Sequence, residues 1–284
     1  MKNHLFVFAC LMLVGLISCE KIDDAEEALV DSQDSQIQRL KVMQAKGQSI
    51  RFWYDNQGMV VHSEEADSFG YRYTYAKRDY VYELDKSRII SRNLYLYQYQ
   101  IETNDVDRLD YRDTLFLNKQ KNRVDSIHRY LDMGWQDIDK TTKQYFRFLF
   151  LYDEGGRLIE VKRKSKLSEY GGWSNWYSEG TLTWEDGDIV EFIQQNKTKK
   201  KYEYSDLKNH LILDARTDLV YNDWAALLPY WFGVSSKHLQ KSLDYDDTHT
   251  NFSYQFQEGR VISAAVTSKT SYQSLVGIIY YLWE

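Results

Sequence analysis

The stretch best equipped for recognition chemistry is Tyr170-Gly171-Gly172-Trp173-Ser174-Asn175-Trp176-Tyr177. Four aromatic rings crowd around a glycine pair, and that backbone has little with which to bury them all. Aromatics with polar tips are what binding surfaces use, and flat rings of this kind stack on sugars. Tyr170, Trp173, Trp176 and Tyr177 are therefore the candidate ligand-binding residues, with a glycan as the candidate ligand. The competing reading is an aromatic cover over a barrel end, since such rings also pack readily.

Reactive groups are abundant but not arranged for catalysis. His62, His128, His210, His238 and His249 fall in no His-Glu-x-x-His helix, and there is no Gly-x-Ser-x-Gly elbow. The 42 acidic residues would let a glycosidase-like carboxylate pair be assembled in space, as in any acidic chain. Asp244-Tyr245-Asp246-Asp247 gathers the hard oxygen ligands that calcium takes. It lacks the glycine and distal glutamate of an EF-hand loop and reads as a solvated turn. Lys197 to Lys201 reads as a charged hairpin tip that keeps a sheet edge from pairing. No catalytic residue, metal ligand or cofactor is assigned, and a non-enzymatic role is preferred.

The chain opens like a targeting segment. Lys2 precedes the apolar run Leu5 to Leu16, too short for an ordinary transmembrane helix. The run ends Leu16-Ile17-Ser18-Cys19, which resembles the bacterial lipobox. Cleavage of residues 1–18 would leave Cys19 at the new N-terminus for acylation, and several acyl chains on one residue make a stable anchor. Such processing removes Cys10 and lipidates Cys19, so disulfides and thiolate chemistry are excluded. Losing Lys2 takes the formal charge from −6 to −7, and no basic footprint suggests nucleic acid. Glu20 follows the cysteine where an aspartate would retain the protein at the inner membrane. The resemblance therefore implies the outer membrane, and Lys21 with the acids beside it resembles a surface-export signal.

The elements that would carry the candidate site read as strands. Phe146 to Tyr152, a turn at Asp153-Glu154-Gly155-Gly156 and Arg157 to Lys162 make a hairpin. Variants recur at Ile50 to Val61, Tyr80 to Ile90, Leu115 to Ile127, Thr181 to Phe192 and Phe252 to Ile262, roughly 30 to 35 residues apart. The 24 tyrosines and the single proline suit a sheet better than a bundle. The fold class is all-β: one long antiparallel meander of hairpin repeats, curled into an open or partial barrel. Leu219 to Phe232 carries Trp224, Leu227, Leu228 and Trp231 along one side of a short helix that Pro229 would end or kink, and reads as a helical insert packed on the sheet. Residues 19–49 read as lipidated cysteine, tether and a short helix through Leu40 and Met43, and residues 50–284 as a single β domain.

These residues resemble an uncharacterised family of Bacteroidota lipoproteins, domain of unknown function number forty-five ninety-five, described as having a porin-like fold. The likeness rests on the lipobox, the Tyr-Asp…Gly-Arg-Leu hairpins and the order of three late segments. These are Leu182 to Gly187, Tyr202 to Asn209 and Ser235 to Leu239. It implies a curled antiparallel sheet and supplies no activity. The resulting expectation is a non-enzymatic, lipid-anchored outer-membrane protein that binds an extracellular or periplasmic ligand such as a glycan. The alternatives are an assembly lipoprotein that docks on another envelope protein and an envelope glycoside hydrolase. A transmembrane barrel fits least, because charges such as Lys77, Arg147 and Lys162 interrupt the strands.

Overall fold

The structure is a computed structural model that describes residues 39–283, apart from 70–71, 99–105, 134–141, 169, 197, 210, 212–213, 217, 220–223, 225–226 and 272. The leader, Cys19 and the tether lie outside the described residues. Sixteen antiparallel strands close into one barrel, each paired to its neighbour in sequence, with β1 paired to β16. The first eight are β1 (Leu40–Ala45), β2 (Gln48–Tyr54), β3 (Val60–Phe69), β4 (Arg72–Glu83), β5 (Arg88–Gln98), β6 (Val106–Leu117), β7 (Val124–Met133) and β8 (Thr142–Tyr152). The rest are β9 (Leu158–Lys166), β10 (Tyr177–Glu185), β11 (Asp188–Gln194), β12 (Lys199–Lys208), β13 (His238–Tyr245), β14 (Thr248–Gln257), β15 (Arg260–Lys269) and β16 (Ser274–Trp283).

Two expectations are corrected. The barrel is closed rather than open or partial, because Leu40 pairs with Trp283 and Met43 with Tyr281 across the ends of the chain. Residues Leu40–Ala45 form that closing strand, not the end of a short helix. Leu40 and Met43 both point inward although three residues apart, since the register shifts between Leu40 and Val42. A bulge produces the spacing that reads as helical.

Even strands end, and odd strands begin, at one rim. The turns there follow one recipe. Asp153 and Arg157 exchange a backbone bond (N–H to O, 3.0 Å), and the Asp153 carboxylate accepts the Arg157 N–H at 2.9 Å. Asp55 and Met59 repeat the arrangement at 2.9 Å for both bonds. Aromatic side chains then stitch six of the strand pairs shut. Tyr54, Tyr82, Tyr152 and Tyr254 donate their hydroxyls to the carbonyls of Leu40, Val60, Val124 and Gln240, at 2.7–2.8 Å. Trp184 and Trp283 donate indole N–H groups to Leu158 and Val261, both at 2.8 Å. The carbonyl reached lies at the start of the preceding odd strand, except that Val261 lies one residue in and Gln240 two. This device explains why an aromatic precedes the turn in unit after unit.

A barrel of this strand number is too wide for its own side chains to fill. The described residues between Asn209 and Lys237 fold inward from the rim and fill it. Trp224, Leu227, Leu228 and Phe232 are fully buried, and Trp231 nearly so. The stripe is therefore core, as its spacing suggests, but it is a plug inside the barrel rather than a helical insert on a sheet. Within it the described turn Leu228–Trp231 is helical (α1), with Pro229 in its first positions, where a missing N–H costs least. Arg216, fully buried, holds the plug by donating to Asp214 and to the carbonyls of Phe232 (3.2 Å) and Gly233 (2.8 Å). Gly233 has φ 77°, and a Cβ there would strike the Gly156 carbonyl oxygen, so only glycine lets plug and turn meet.

The polarity of the wall runs apolar inside and charged outside. Phe148, Phe150, Ile127, Leu115 and Val161 face the plug. Arg147, Lys162 and Lys77 face outward at mid-strand. A lipid-facing wall needs a continuous apolar band, and these charges break it.

Candidate functional site

The candidate aromatic loop joins β9 to β10 and doubles back over the outer wall. Ser174 pins it. Its N–H donates to the Ser165 carbonyl (2.8 Å), and its hydroxyl accepts the Ser165 N–H (3.0 Å). Gly172 has no neighbour within 4 Å, so the loop crosses open space before it lands.

Trp173 and Trp176 lie on the outward side chains of β8 and β9. The Arg147 guanidinium sits 4.6 Å from the Trp173 ring centre, and the Lys164 ammonium lies 5.3 Å from Trp173 and 4.6 Å from Trp176. Lys166 reaches Trp173 at 5.4 Å and Tyr145 at 4.6 Å. Cation–π contacts of this exposed kind contribute about 0.5–1 kcal/mol each. Trp173 is half-buried, Trp176 is 43% exposed and Tyr170 is 95% exposed.

Tyr177 is not part of this surface. It opens β10 opposite Arg163, which pairs with the inward-facing Phe148. Its hydroxyl is bonded to the Arg163 guanidinium inside the barrel, and burial pushes its pKa up. The structure thus brings Trp173 and Trp176 together, leaves Tyr170 free at the loop tip and sends Tyr177 to the other face.

Sequence reading missed the basic floor of the site. Arg147 and Lys164 stand directly opposite each other in the ladder, flanked by the pairs Tyr145–Lys166 and Leu149–Lys162. Lysines at 162, 164 and 166 recur with period two, a signal that was legible once β9 was taken as a strand. His128 pairs with Arg147 on the same outer face. Burial and then the charges of Arg147 and Lys164 hold its pKa below the usual value.

Inside the barrel the described ionic groups come in matched pairs. Asp113, fully buried, accepts two bonds from Arg129 (both 2.8 Å) and one from the Trp224 indole (2.7 Å). Glu65 accepts from Arg78 (2.9 Å), and Asp218 from Lys200 and Tyr202. Each of these carboxylates is taken up by hydrogen bonds from side chains of the barrel and its plug.

A second concavity of about 480 Å³ lies at the turn rim, lined by Asp206, Lys208, Asn209, Ser235, Ser236, Lys237 and His238. Two of the three segments that carried the family likeness line it. The third touches it, since a Cβ at Gly187 would strike Lys237. Asp188 accepts both the His238 N–H (2.9 Å) and its Nδ1 (2.7 Å), which ties the start of β13 to β11. This is a clamp that seats the plug's exit strand. Asp244 to Asp247 form the β13–β14 turn, where Asp244 bonds His249 and Asp247 accepts from Ser271 (2.9 Å). Among the described residues no group of three potential metal ligands occurs.

The fold is that of the porin-like barrels. The chain is similar to a porin-like protein from Bacteroides uniformis, with 13% sequence identity and a TM-score of 0.51 over 86% of this chain and 94% of that one. It is also similar to a porin-like protein from Bacteroides vulgatus, at 11% identity and a TM-score of 0.40 over 87% and 99% of the two chains. No family model and no curated protein matches the chain.

Proposed function

We propose that this chain is a lipid-anchored outer-membrane protein that holds a saccharide on Trp173 and Trp176 and carries out no reaction on it. The observation that carries the reading is the placement of both indoles on the outer wall, with Trp176 open to solvent. A glycan can reach such a wall without entering the plugged barrel. The lipobox at Cys19 supports the anchor, and the likeness to the Bacteroidota lipoprotein family supports the outer membrane and its surface face. The charged wall supports attachment by acyl chains rather than by strands crossing the bilayer.

Two experiments test it. Radiolabelled fatty acid should be incorporated into the full chain in a bacterial host and lost in Cys19→Ala. The purified full chain in detergent should show a thermal shift with a glycan panel, since ligand at about a hundred times its Kd stabilises by roughly 2.7 kcal/mol. The shift should vanish in a Trp173→Ala, Trp176→Ala double variant. A panel without any shift sinks the saccharide reading.

Docking on another envelope protein is the second reading. The exposed row Val276, Ile278, Tyr280 and Leu282 along β16 favours it.

A further inference from the structure

We infer that the saccharide held by this wall is polyanionic, an inference that rests on the binding reading above. Elsewhere on the outer wall the ladder sets opposite charges against each other: Glu64 faces Lys77, Glu83 faces Arg88, Glu191 faces Lys201, and Lys201 faces Asp244. Around the tryptophans it sets like against like. Arg147 faces Lys164, and Arg112 faces Arg92, whose other neighbour in the ladder is Asp79. Like charges directly opposite in a sheet repel and destabilise it. Arg92, Arg112, Arg147 and Lys164 also make no ion pair among the described residues. A chain of net charge −6 with carboxylates to spare leaves Arg112, Arg147 and Lys164 with no acid across the ladder on this wall.

The cations are ordered. One row runs straight across five strands, from Arg92 on β5 through Arg112, Tyr130 and Tyr145 to Lys166 on β9. At about 4.8 Å per strand it is roughly 19 Å long, the length of a few sugar units. Arg147 and Lys164 lie in the next row, beneath the indoles. Cations with aromatic faces between them suit a chain that alternates negative charge with flat apolar sugar faces, such as an acidic polysaccharide free in solution or carried on a lipid. A bilayer surface is the weaker fit, because the exposed aliphatic row lies on β16, on the opposite side of the ring.

The test uses the full chain in a non-ionic detergent. Binding is measured by calorimetry to polygalacturonate, neutral dextran, single-stranded DNA and anionic phospholipid vesicles at two salt concentrations. Polygalacturonate should bind, weaken at least tenfold as salt rises from 50 to 500 mM, and lose at least tenfold in an Arg147→Gln, Lys164→Gln double variant. That variant removes a repulsion together with the cation–π contacts to Trp173 and Trp176, so its folding is checked by urea titration, and a cooperative native-like transition shows that lost binding does not reflect lost folding. Dextran bound as tightly as polygalacturonate, without salt dependence, would overturn the polyanion and leave the saccharide reading standing. Binding of DNA or vesicles alone would overturn both. No binding to any probe, with the fold intact, would also overturn both.

Discussion

Eight strands apart on the ring of 16, two walls of the same barrel present opposite chemistry. The wall on β8 and β9 is cationic and aromatic, with Arg147, Lys164 and Lys166 under Trp173 and Trp176. The wall on β16 shows Val276, Ile278, Tyr280 and Leu282, and their ladder partners Thr267, Ala265, Gln44 and Val42 carry no charge either. Inward, the two walls are alike: Phe148 and Phe150 on one, Tyr281 on the other, all buried. The inner face of a strand answers to packing. The outer face answers to whatever lies outside, so the difference between walls carries the functional information and the likeness carries the fold.

The largest expected effect lies behind the cationic wall. The Trp224 ring packs edge-on against Phe148 (5.0 Å) and Phe150 (6.0 Å) of β8 and donates to Asp113. Trp224→Ala should lower unfolding free energy by about 3–5 kcal/mol, read by urea titration. A loss under about 1 kcal/mol would mean that the plug is not what supports this wall.

The interiors of the two walls should be equally stabilised. Tyr152→Phe near the cationic wall and Tyr254→Phe near the neutral one each remove one hydroxyl bond to a carbonyl, at 2.7 and 2.8 Å. Burial pushes both hydroxyls' pKa well up. Each change should cost about 1–2 kcal/mol. Strongly unequal losses, measured by the same titration, would show that the rim stitching differs between walls.

Acid should separate the walls. His128 faces Arg147 across the ladder, with Lys164 one strand on and the Phe116 ring 4.7 Å away. Its folded pKa is depressed by burial and by those cations. The folded state therefore binds fewer protons than the unfolded one, and stability falls as pH drops below about 6.5. His249 on β14 has its pKa raised by the hydrogen bond to Asp244. Its contribution is present below about 6.5 and lost as pH rises through the folded value. Melting scans from pH 7.5 to 5.5 should show a smaller acid loss in His128→Gln and a larger one in His249→Gln. Parallel curves for both variants would refute the assignment.

The smallest effect belongs to the neutral wall. Ile278→Thr removes an exposed side chain and should change stability by no more than about 0.5 kcal/mol. It should leave polygalacturonate binding untouched, where a Trp176→Ala change does not.

Turn chemistry and period-two patterning were legible in the chain itself. Asp153 to Gly156 forms the turn its residues require, and the outward series Lys162, Lys164, Lys166 follows from the pleat alone. The apolar stripe at Trp224 to Trp231 was legible as something buried, because so many large apolar groups have nowhere else to go. Closure was not legible, since it depends on Leu40 meeting Trp283 from the far ends of the chain, and no local signal reports that contact. Nor was the place of the plug, which is set by the width that 16 strands enclose. The aromatic cluster at Tyr170 to Tyr177 was legible as a composition but not as a surface. Only the ladder shows that Trp176 turns out over Lys164 while Tyr177, one residue on, turns in toward Arg163. Local chemistry is written in neighbouring residues; which face of a wall a residue serves is decided by the strand across from it.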